Sequence, residues 1–215
     1  MVKTRLAQSL PLAAVVELYS CLLDDTIALA KSLDDAYVAI MCPASDVDVL
    51  SRAAGDAVHV VAQMGDGLAA GLASVFAHFA APGHRRIIAF NSDSPHLPAS
   101  VLNSAFQTLA SCDVVVGPTH DGGYYLVGAR ASHAGLFAGD GIGTTSALVA
   151  LLGRAQALGL SVSLTDPFYD IDVEADLSRL AAELQRVPAR APRTAAWLIE
   201  WEKAATQSGQ SGRDR

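Results

Sequence analysis

A run of four apolar residues, Ile87–Phe90, with polar residues directly after it, is the feature that most constrains this sequence. Such a run is typical of a strand that is buried on both faces, as in a parallel sheet. The residues that follow, Asn91-Ser92-Asp93-Ser94-Pro95, place an aspartate just beyond the carboxyl end of the strand, where ligands bind in open α/β sheets. Because Pro95 and Pro98 end the strand and favour a short loop, we expect Asp93 to be held where it can bind a metal.

Strand-like and helix-like patterns alternate along most of the chain. Helical spacing of apolar residues predicts helices over residues 12–29, 68–79, 101–109, 147–158 and 177–184, and apolar runs predict strands over residues 36–41, 58–61, 113–117 and 160–164. This alternation predicts an α/β fold with a three-layer, mostly parallel, Rossmann-like sheet. Between residues 119 and 128 a polar glycine turn leads directly into an aromatic strand, which predicts an antiparallel edge strand.

The domain organisation follows from length and composition. With 215 residues, of which 51% are hydrophobic, the chain can bury a sizeable core in one large domain, assigned to residues 1–187. Residues 188–215 are predicted to form a linker, a short helix carrying Trp197 and Trp201, and a polar tail that is disordered.

Several classes of function are disfavoured by charge and residue usage. The formal net charge is -7, and the basic residues form no cluster beyond His84-Arg85-Arg86, so a non-specific nucleic-acid partner is not expected. No uninterrupted apolar run is long enough to span a membrane. The three cysteines have no metal-like spacing, and Lys3 and Arg5 precede a mixed segment rather than the apolar core of a signal peptide. A cytoplasmic protein is therefore expected.

Two aspartates near the end of the sheet region form a second candidate metal site. In extended backbone Asp170 and Asp172 point to the same side, and a divalent cation would relieve their repulsion. Together with Asp93 they offer the oxygen ligands that Mg²⁺ or Mn²⁺ prefers. The alternative is structural, since Asp172 or Asp176 can cap the next helix and Asp93 can cap its own turn.

A double glycine forms the third candidate site. Gly122 and Gly123 would allow backbone N–H groups to approach a phosphate or sugar closely, and Asp121 can accept hydrogen bonds from hydroxyl groups. A plain hairpin turn explains the Asp-Gly pair equally well. Tyr124 follows on the strand and points to the face opposite that of Tyr125.

The basic and polar residues of two further segments can contribute to the same chemistry. Lys3 and Arg5 lie two residues apart and can bracket a phosphate, although such residues usually form a solvated end. Gln63 and Asp66 belong to a turn-rich loop, where they can be ordinary loop residues. The histidines show no ligand spacing, and no Ser/Cys-His-Asp arrangement can be placed.

Five motifs in order resemble the bacterial glycosyltransferase-A-like family, whose members are mostly uncharacterised and in part associated with arsenosugar biosynthesis. The resemblance covers about residues 1–184 and is carried by Val2-Lys3-Thr4-Arg5-Leu6, Asn91-Ser92-Asp93-Ser94-Pro95-His96-Leu97-Pro98, Asp113-Val114-Val115-Val116-Gly117-Pro118, Asp121-Gly122-Gly123-Tyr124-Tyr125-Leu126 and Tyr169-Asp170-Ile171-Asp172 with Asp176-Leu177. This family is similar in fold to phospholactate and molybdenum-cofactor guanylyltransferases and to nucleotide-sugar glycosyltransferases. The fold implied is that of the nucleotide-diphospho-sugar transferases, in which a nucleotide di- or triphosphate binds with a divalent metal.

The resemblance also implies roles for individual residues. Asp93 would be the first metal carboxylate and Asp172 the second, with Asp170 in reserve. The nucleotide and its phosphates would be bound by Lys3, Arg5, Gln63, Asp66 and Ser92, and the acceptor or sugar by Asp121, Gly122, Gly123 and Tyr124.

Two departures from the family pattern qualify these roles. Family members usually carry a strand and a small-residue loop ahead of the Lys-Thr-Arg-Leu motif, so we expect this chain to lack the usual first strand. Gly71-Leu72 stands where the family typically has an Arg-Met pair.

The function expected is a divalent-metal-dependent transferase that uses a nucleotide-activated substrate and a small-molecule acceptor, with a nucleotide-sugar glycosyltransferase ranked first. A nucleotidylyltransferase, which would release pyrophosphate from an NTP, and a non-catalytic nucleotide-binding protein with an incomplete site are the alternatives. The sequence leaves open the base, the sugar, the acceptor, the stereochemistry and the oligomeric state.

Overall fold

The computed structural model describes residues 3–56, 58–139 and 146–211. Val2, the first residue of the Val2–Leu6 motif, and residues 212–215 of the predicted tail lie outside the described residues.

The described residues form α-helices and β-strands that largely alternate along the chain. The helices are α1 (Leu12–Lys31), α2 (Val47–Ala54), α3 (Gly67–Ala80), α4 (Ala99–Thr108), α5 (Ala147–Ala157), α6 (Glu174–Leu184) and α7 (Pro192–Ser211), and the strands are β1 (Ala39–Cys42), β2 (His59–Ala62), β3 (Ile87–Phe90), β4 (Val114–Pro118), β5 (Tyr124–Ala129) and β6 (Val162–Leu164). Short 3₁₀ turns at Leu6–Gln8, Ala44–Asp46 and Pro188–Arg190 connect some of them. The predicted α/β class is confirmed, and α7 is longer than the short helix that the sequence predicted.

The strands form two hydrogen-bonded sheets within the described residues. β1 pairs with β2 in parallel, and the other four strands are ordered β3-β5-β4-β6. β5 runs antiparallel to both β3 and β4, while β6 is parallel to β4. The sheets are therefore mixed, and the prediction of an antiparallel edge strand is wrong because β5 lies between two other strands. The interior position of β5 agrees with its burial, because Tyr125–Ala129 are all buried.

The chain divides into two compact units. The first unit comprises Met1–Ser32, Ser92–Pro98 and Asp170–Arg215, and the second comprises Leu33–Asn91 and Ala99–Tyr169. All six strands named above belong to the second unit, whereas α1, α6 and α7 belong to the first.

Helix packing and a buried aspartate stabilise the first unit. Leu18 and Leu22 of α1, Leu180 of α6 and Ile171, which precedes α6, are buried there, and α1 packs against α7. Asp25 of α1 is also buried, and its two carboxylate oxygens accept hydrogen bonds from the backbone N–H groups of Arg193 (3.2 Å) and Thr194 (2.8 Å). A side chain of one helix thus satisfies the first N–H groups of another.

The core of the second unit lies between the sheet and its helices. Phe76 of α3, Leu151 of α5 and the strand residues Val114, Val116 and Val127 form one buried cluster. Burial of this cluster is the main driving force for the packing of the helices on the sheet.

Among the described residues, no helix is both long enough and apolar enough to cross a membrane.

Candidate functional site

Asp93 lies on a loop of the first unit, Ser92–Pro98, that is fixed at both its backbone and its side chains. The backbone N–H of Ile171 donates to the carbonyl oxygen of Asp93 at 3.0 Å. The hydroxyl groups of Tyr19 and Ser92 lie 3.2 Å apart, and the hydroxyl of Thr26 donates to the Ser92 carbonyl at 3.4 Å. These contacts hold Asp93 in place without using its carboxylate, which is what a ligand-binding carboxylate needs.

The far side of this loop is anchored by a buried histidine. His96 is fully buried, as are Ser94 and Leu97. Burial, together with the positive charges of Arg179 and Arg190, lowers the pKa of His96 from 6.5 to about 3. His96 is therefore neutral at neutral pH and packs as part of the core that supports the loop.

Asp172 precedes α6, and the next aspartate along the helix holds its backbone. One carboxylate oxygen of Asp176 accepts hydrogen bonds from the N–H groups of Asp172 (2.9 Å) and Val173 (2.8 Å). Of the two residues that the sequence offered as a cap of α6, Asp176 has this role, as the third residue of the helix whose side chain reaches back to the N–H groups that precede it. The carboxylate of Asp172 is left to interact elsewhere.

Lys3 joins the two aspartates. Its ammonium nitrogen lies 3.0 Å from Oδ2 of Asp93 and 2.9 Å from Oδ1 of Asp172. The Lys3 side chain is only 5% exposed, so the alternative that it belongs to a solvated end does not hold. Arg5, which is 66% exposed, adds a longer ion pair, with 3.7 Å between its Nη1 and Oδ2 of Asp172.

This cluster lines a cavity of about 280 Å³, near the lower end of the range for ligand sites. The lining residues are Lys3, Thr4, Arg5, Tyr19, Ser92, Asp93 and Asp172. Two carboxylates, two cations and three hydroxyl groups converge there, a set that can bind phosphate oxygens and sugar hydroxyls.

The second unit carries a larger cavity of about 420 Å³. It is lined by Tyr37, His59, Val60, Val61, Ala62, Met64, Ser74 and His78, so its walls hold no carboxylate, lysine or arginine. Because the cavity beside Lys3 offers carboxylates and cations and this one offers neither, the Lys3 cavity is the better candidate site.

The two aspartates of the Lys3 cavity fit a divalent cation. One oxygen of each carboxylate lies at about the same distance from the Lys3 ammonium, so both already converge on one positive charge. Carboxylate oxygens are also the ligands that Mg²⁺ and Mn²⁺ prefer. The described residues contain no group of three or more His, Cys, Asp or Glu side chains placed to hold a metal, so the remaining ligands would have to be water or substrate oxygens. Asp170, the predicted reserve ligand, is half-buried and is not among the residues that line the cavity.

The other predicted site residues belong to the second unit. Gln63 is half-buried, and its side chain lies against Gly71 of α3, where an added Cβ would come within 2.9 Å of its amide oxygen. Asp66 is exposed and precedes α3, and its side chain makes no capping hydrogen bond to that helix. Packing therefore explains why a glycine stands at position 71, because a larger residue would displace the Gln63 side chain.

The Asp121 carboxylate stabilises the turn in which it lies. It accepts hydrogen bonds from the hydroxyl of Thr119 and from the backbone N–H of Gly123. Gly122 has φ +92°, a left-handed conformation that favours glycine, and its carbonyl accepts the N–H of Leu148. These are the contacts expected of the hairpin-turn alternative.

Tyr124 follows that turn, and its hydroxyl oxygen is buried. Burial raises the pKa of Tyr124 to about 12, although the positive charge of Arg154 acts in the opposite direction. The phenol is therefore protonated at neutral pH and is available only as a neutral donor or acceptor.

Sequence reasoning missed Tyr19 and Thr4 as residues of the cavity. Tyr19 was treated as one apolar position of helix α1, but a half-buried tyrosine usually needs a partner for its hydroxyl, and here that partner is Ser92. Thr4 lies between the two predicted cations, which was the available signal.

Comparison with a family model identifies the family. Residues 26–144, more than half of the chain, match the family described as "Uncharacterized protein conserved in bacteria (DUF2064)". The chain belongs to this family. A comparison with curated proteins gave no match.

Solved structures with similar folds add information at the level of the whole chain. A protein from Desulfovibrio desulfuricans, described as a "putative nucleotide-diphospho-sugar transferase", has 25% sequence identity and a TM-score of 0.87, covering 96% of this chain and 91% of its own. The 4-diphosphocytidyl-2C-methyl-D-erythritol synthase of Anaerococcus prevotii has 14% identity and a TM-score of 0.52, covering 78% of this chain and 86% of its own. The DUF2064 chain thus shares its α/β fold with both.

Proposed function

We propose that this protein is a divalent-metal-dependent transferase that uses a nucleotide-activated substrate, with a nucleotide sugar as the donor. The observation that carries the proposal is the convergence of Asp93 and Asp172 on one cation beside Arg5, in a cavity lined with hydroxyl groups. The similarity to the Desulfovibrio protein over nearly the whole chain supports a nucleotide-diphospho-sugar as the donor.

Each group of the cavity has a task in such a transfer. Asp93 and Asp172 would hold Mg²⁺ or Mn²⁺, which when bound supplies positive charge to a diphosphate as it departs. Arg5 presents planar, paired N–H donors that suit phosphate oxygens, and Lys3 adds a point charge. The hydroxyl groups of Tyr19 and Ser92 can donate to oxygens of the ligand.

Asp121, Gly122, Gly123 and Tyr124 are proposed to contact the acceptor or the sugar, and Gln63 and Asp66 the nucleotide. The residue types support these roles: Gly122 has no side chain to block the approach of a ligand to its backbone, and exposed Asp121 carries a carboxylate. Because the Asp121 carboxylate already accepts hydrogen bonds within its turn, its removal would also disturb the turn.

A nucleotidylyltransferase remains the second candidate, because the fold is shared with a synthase of the diphosphocytidyl type. Both reactions need charge neutralisation at a phosphate, so the site itself does not separate them. The products do: a glycosyl transfer releases a nucleoside diphosphate, and a nucleotidyl transfer releases pyrophosphate.

The test is to incubate the protein with Mg²⁺ or Mn²⁺, a pool of small hydroxylated acceptors, and either a panel of nucleotide sugars or the common NTPs. We expect release of a nucleoside diphosphate from at least one nucleotide sugar, and abolition of this release in Asp93→Asn. Asp24→Asn, which changes a partly exposed aspartate of α1, is the matched control and should remain active. Release of pyrophosphate from an NTP would favour the second candidate, and absence of both products would support a non-catalytic nucleotide-binding protein.

A further inference from the structure

We propose that Lys3 is an internal, displaceable cation whose ammonium occupies the metal position between Asp93 and Asp172 and must leave before a divalent cation binds. This inference rests on the proposed metal-dependent function and adds that the metal and the Lys3 ammonium compete for the same position. The metal and a phosphate-bearing ligand are then expected to bind cooperatively.

The first argument is geometric. The Lys3 nitrogen lies 2.9–3.0 Å from one oxygen of each carboxylate and its side chain is almost completely buried, so it fills the space where the two aspartates converge. A divalent cation binds carboxylate oxygens at about 2.0–2.6 Å. It cannot share that point with an ammonium group, because two positive charges within about 4 Å repel strongly in a partly buried site.

The second argument concerns charge. With Lys3 in place, two carboxylates face two cations, Lys3 and Arg5, and the cluster is neutral. When the ammonium leaves, the cluster becomes negative and attracts a divalent cation. Arg5 is largely exposed and reaches Asp172 only at 3.7 Å, so it does not fill the same position.

The third argument is that Lys3 adopts a conformation that its neighbours must maintain. Its φ is +53°, in the left-handed region that is unfavourable for a non-glycine residue. The two ion pairs hold the side chain between the aspartates. A lysine suits this role because its charge is carried on a flexible four-carbon stem.

A phosphate-bearing ligand provides the alternative partner for the ammonium. When phosphate oxygens bind the Lys3 nitrogen, they release Asp93 and Asp172 for the metal, and the metal in turn frees Lys3 for the phosphate. Such coupling is reciprocal by thermodynamic necessity. Without the ligand, wild-type protein should therefore bind the metal weakly.

The test is a titration of the protein with Mn²⁺ alone, without nucleotide and at constant ionic strength, followed by calorimetry or by the EPR signal of free Mn²⁺. Lys3→Met is expected to bind Mn²⁺ roughly tenfold more tightly than wild type, because the competing charge is gone. Lys3→Arg, which keeps the charge, and Lys31→Met, which removes a lysine from the exposed end of α1, should bind within about twofold of wild type. The added affinity of Lys3→Met should disappear in the double variant with Asp93→Asn. Equal or weaker Mn²⁺ binding by folded Lys3→Met would overturn the proposal.

A second measurement uses the wild-type protein and is independent of how the variants fold. An amine-acylating reagent should modify Lys3 several-fold faster when Mn²⁺ saturates the site, as read by mass spectrometry, while the rate at Lys31 stays constant. An unchanged rate at Lys3 under Mn²⁺ saturation would also refute displacement. Both experiments measure metal binding or lysine modification and need no substrate turnover. A failed transferase assay would therefore count against the proposed function but not against displacement of Lys3 by the metal.

Discussion

Replacing Asp25 should destabilise the first unit far more than replacing its neighbour Asp24. Asp25 is buried in α1 and accepts the N–H groups of Arg193 (3.2 Å) and Thr194 (2.8 Å) at the start of α7. Asp24 is partly exposed and forms an ion pair with the Arg193 side chain at 2.9 Å. The two positions therefore separate a buried helix cap from a surface salt bridge on the same helix.

The magnitude follows from these contacts. Asp25→Ala leaves the buried N–H of Thr194 without an acceptor, at about 1–3 kcal/mol, and removes a helix-capping carboxylate, for which Ala substitutions cost about 0.5–2 kcal/mol. We expect a total loss of about 3 kcal/mol in the free energy of unfolding. For a chain of this size each kcal/mol lowers the Tm by about 2–4 °C, so the expected decrease is about 6–12 °C. Asp24→Ala should cost less than about 1 kcal/mol, because surface salt bridges contribute little.

The protein carries its own probe for this experiment. Its two tryptophans, Trp197 and Trp201, both lie on α7 and stack with their ring centroids 5.3 Å apart. Urea unfolding followed by tryptophan fluorescence therefore reports on the helix whose cap is removed. If Asp25→Ala lies within about 0.5 kcal/mol of wild type, below the cost of a lost cap, the assignment of Asp25 as the cap of α7 is wrong.

Three further predictions concern packing, pH and the support of the candidate site. In Gly117→Ala the new Cβ would lie 2.5 Å from the ring of Tyr125, so we expect the free energy of unfolding to fall by about 1–3 kcal/mol. A Cβ at Gly153, inside α5, would meet no atom within 4 Å, so Gly153→Ala should raise the free energy of unfolding by up to about 1 kcal/mol. Equal stabilities of the two variants in urea unfolding would contradict this. Burial holds the pKa of His96 at about 3, below the 6.5 of the unfolded chain, so the unfolded state alone takes up this proton as the pH falls from 6.5 towards 3. Stability is lost over that window by up to about 1.4 kcal/mol per pH unit, and His96→Gln should have a shallower slope; identical slopes would contradict it. Asp176→Ala should cost about 1 kcal/mol and weaken nucleotide binding measured by calorimetry, with Asp176→Asn recovering part of both; unchanged binding would show that this cap does not position the site.

Local patterns in the sequence were sufficient for most elements of the fold but not for the order of the strands. The apolar run Ile87–Phe90 is a strand, β3, as predicted, but it is not the fully buried parallel strand that the run suggested: it lies at one end of the four-stranded sheet, pairs antiparallel with β5, and only its Ile87 is buried. The position of β5 depends on its pairing with β3, through partners such as Ile87 and Ala129, which are distant in the chain. A turn motif predicts only that β4 and β5 are adjacent, so the sequence could not place β5 between β3 and β4.

The candidate site was predictable as a set of residue types and only partly as a set of contacts. Residue order suggested that Asp93 and Asp172 act together, and the structure brings both to Lys3. Lys3 was predicted to face phosphate, and its contact with Asp172 spans 169 residues, which no local pattern can reveal. The capping role of Asp176 is local, and the sequence included it among the alternatives.

The most direct test of the account is calorimetric titration of a panel of nucleoside diphosphates into wild-type protein and Asp93→Asn, each with and without Mg²⁺. We predict that Mg²⁺ strengthens the binding of at least one nucleoside diphosphate to wild type by roughly tenfold or more, that Asp93→Asn loses this gain, and that Asp24→Asn retains it. Binding that is independent of Mg²⁺, or equally dependent on it in Asp93→Asn, would contradict the assignment of Asp93 and Asp172 as the metal ligands of a nucleotide site.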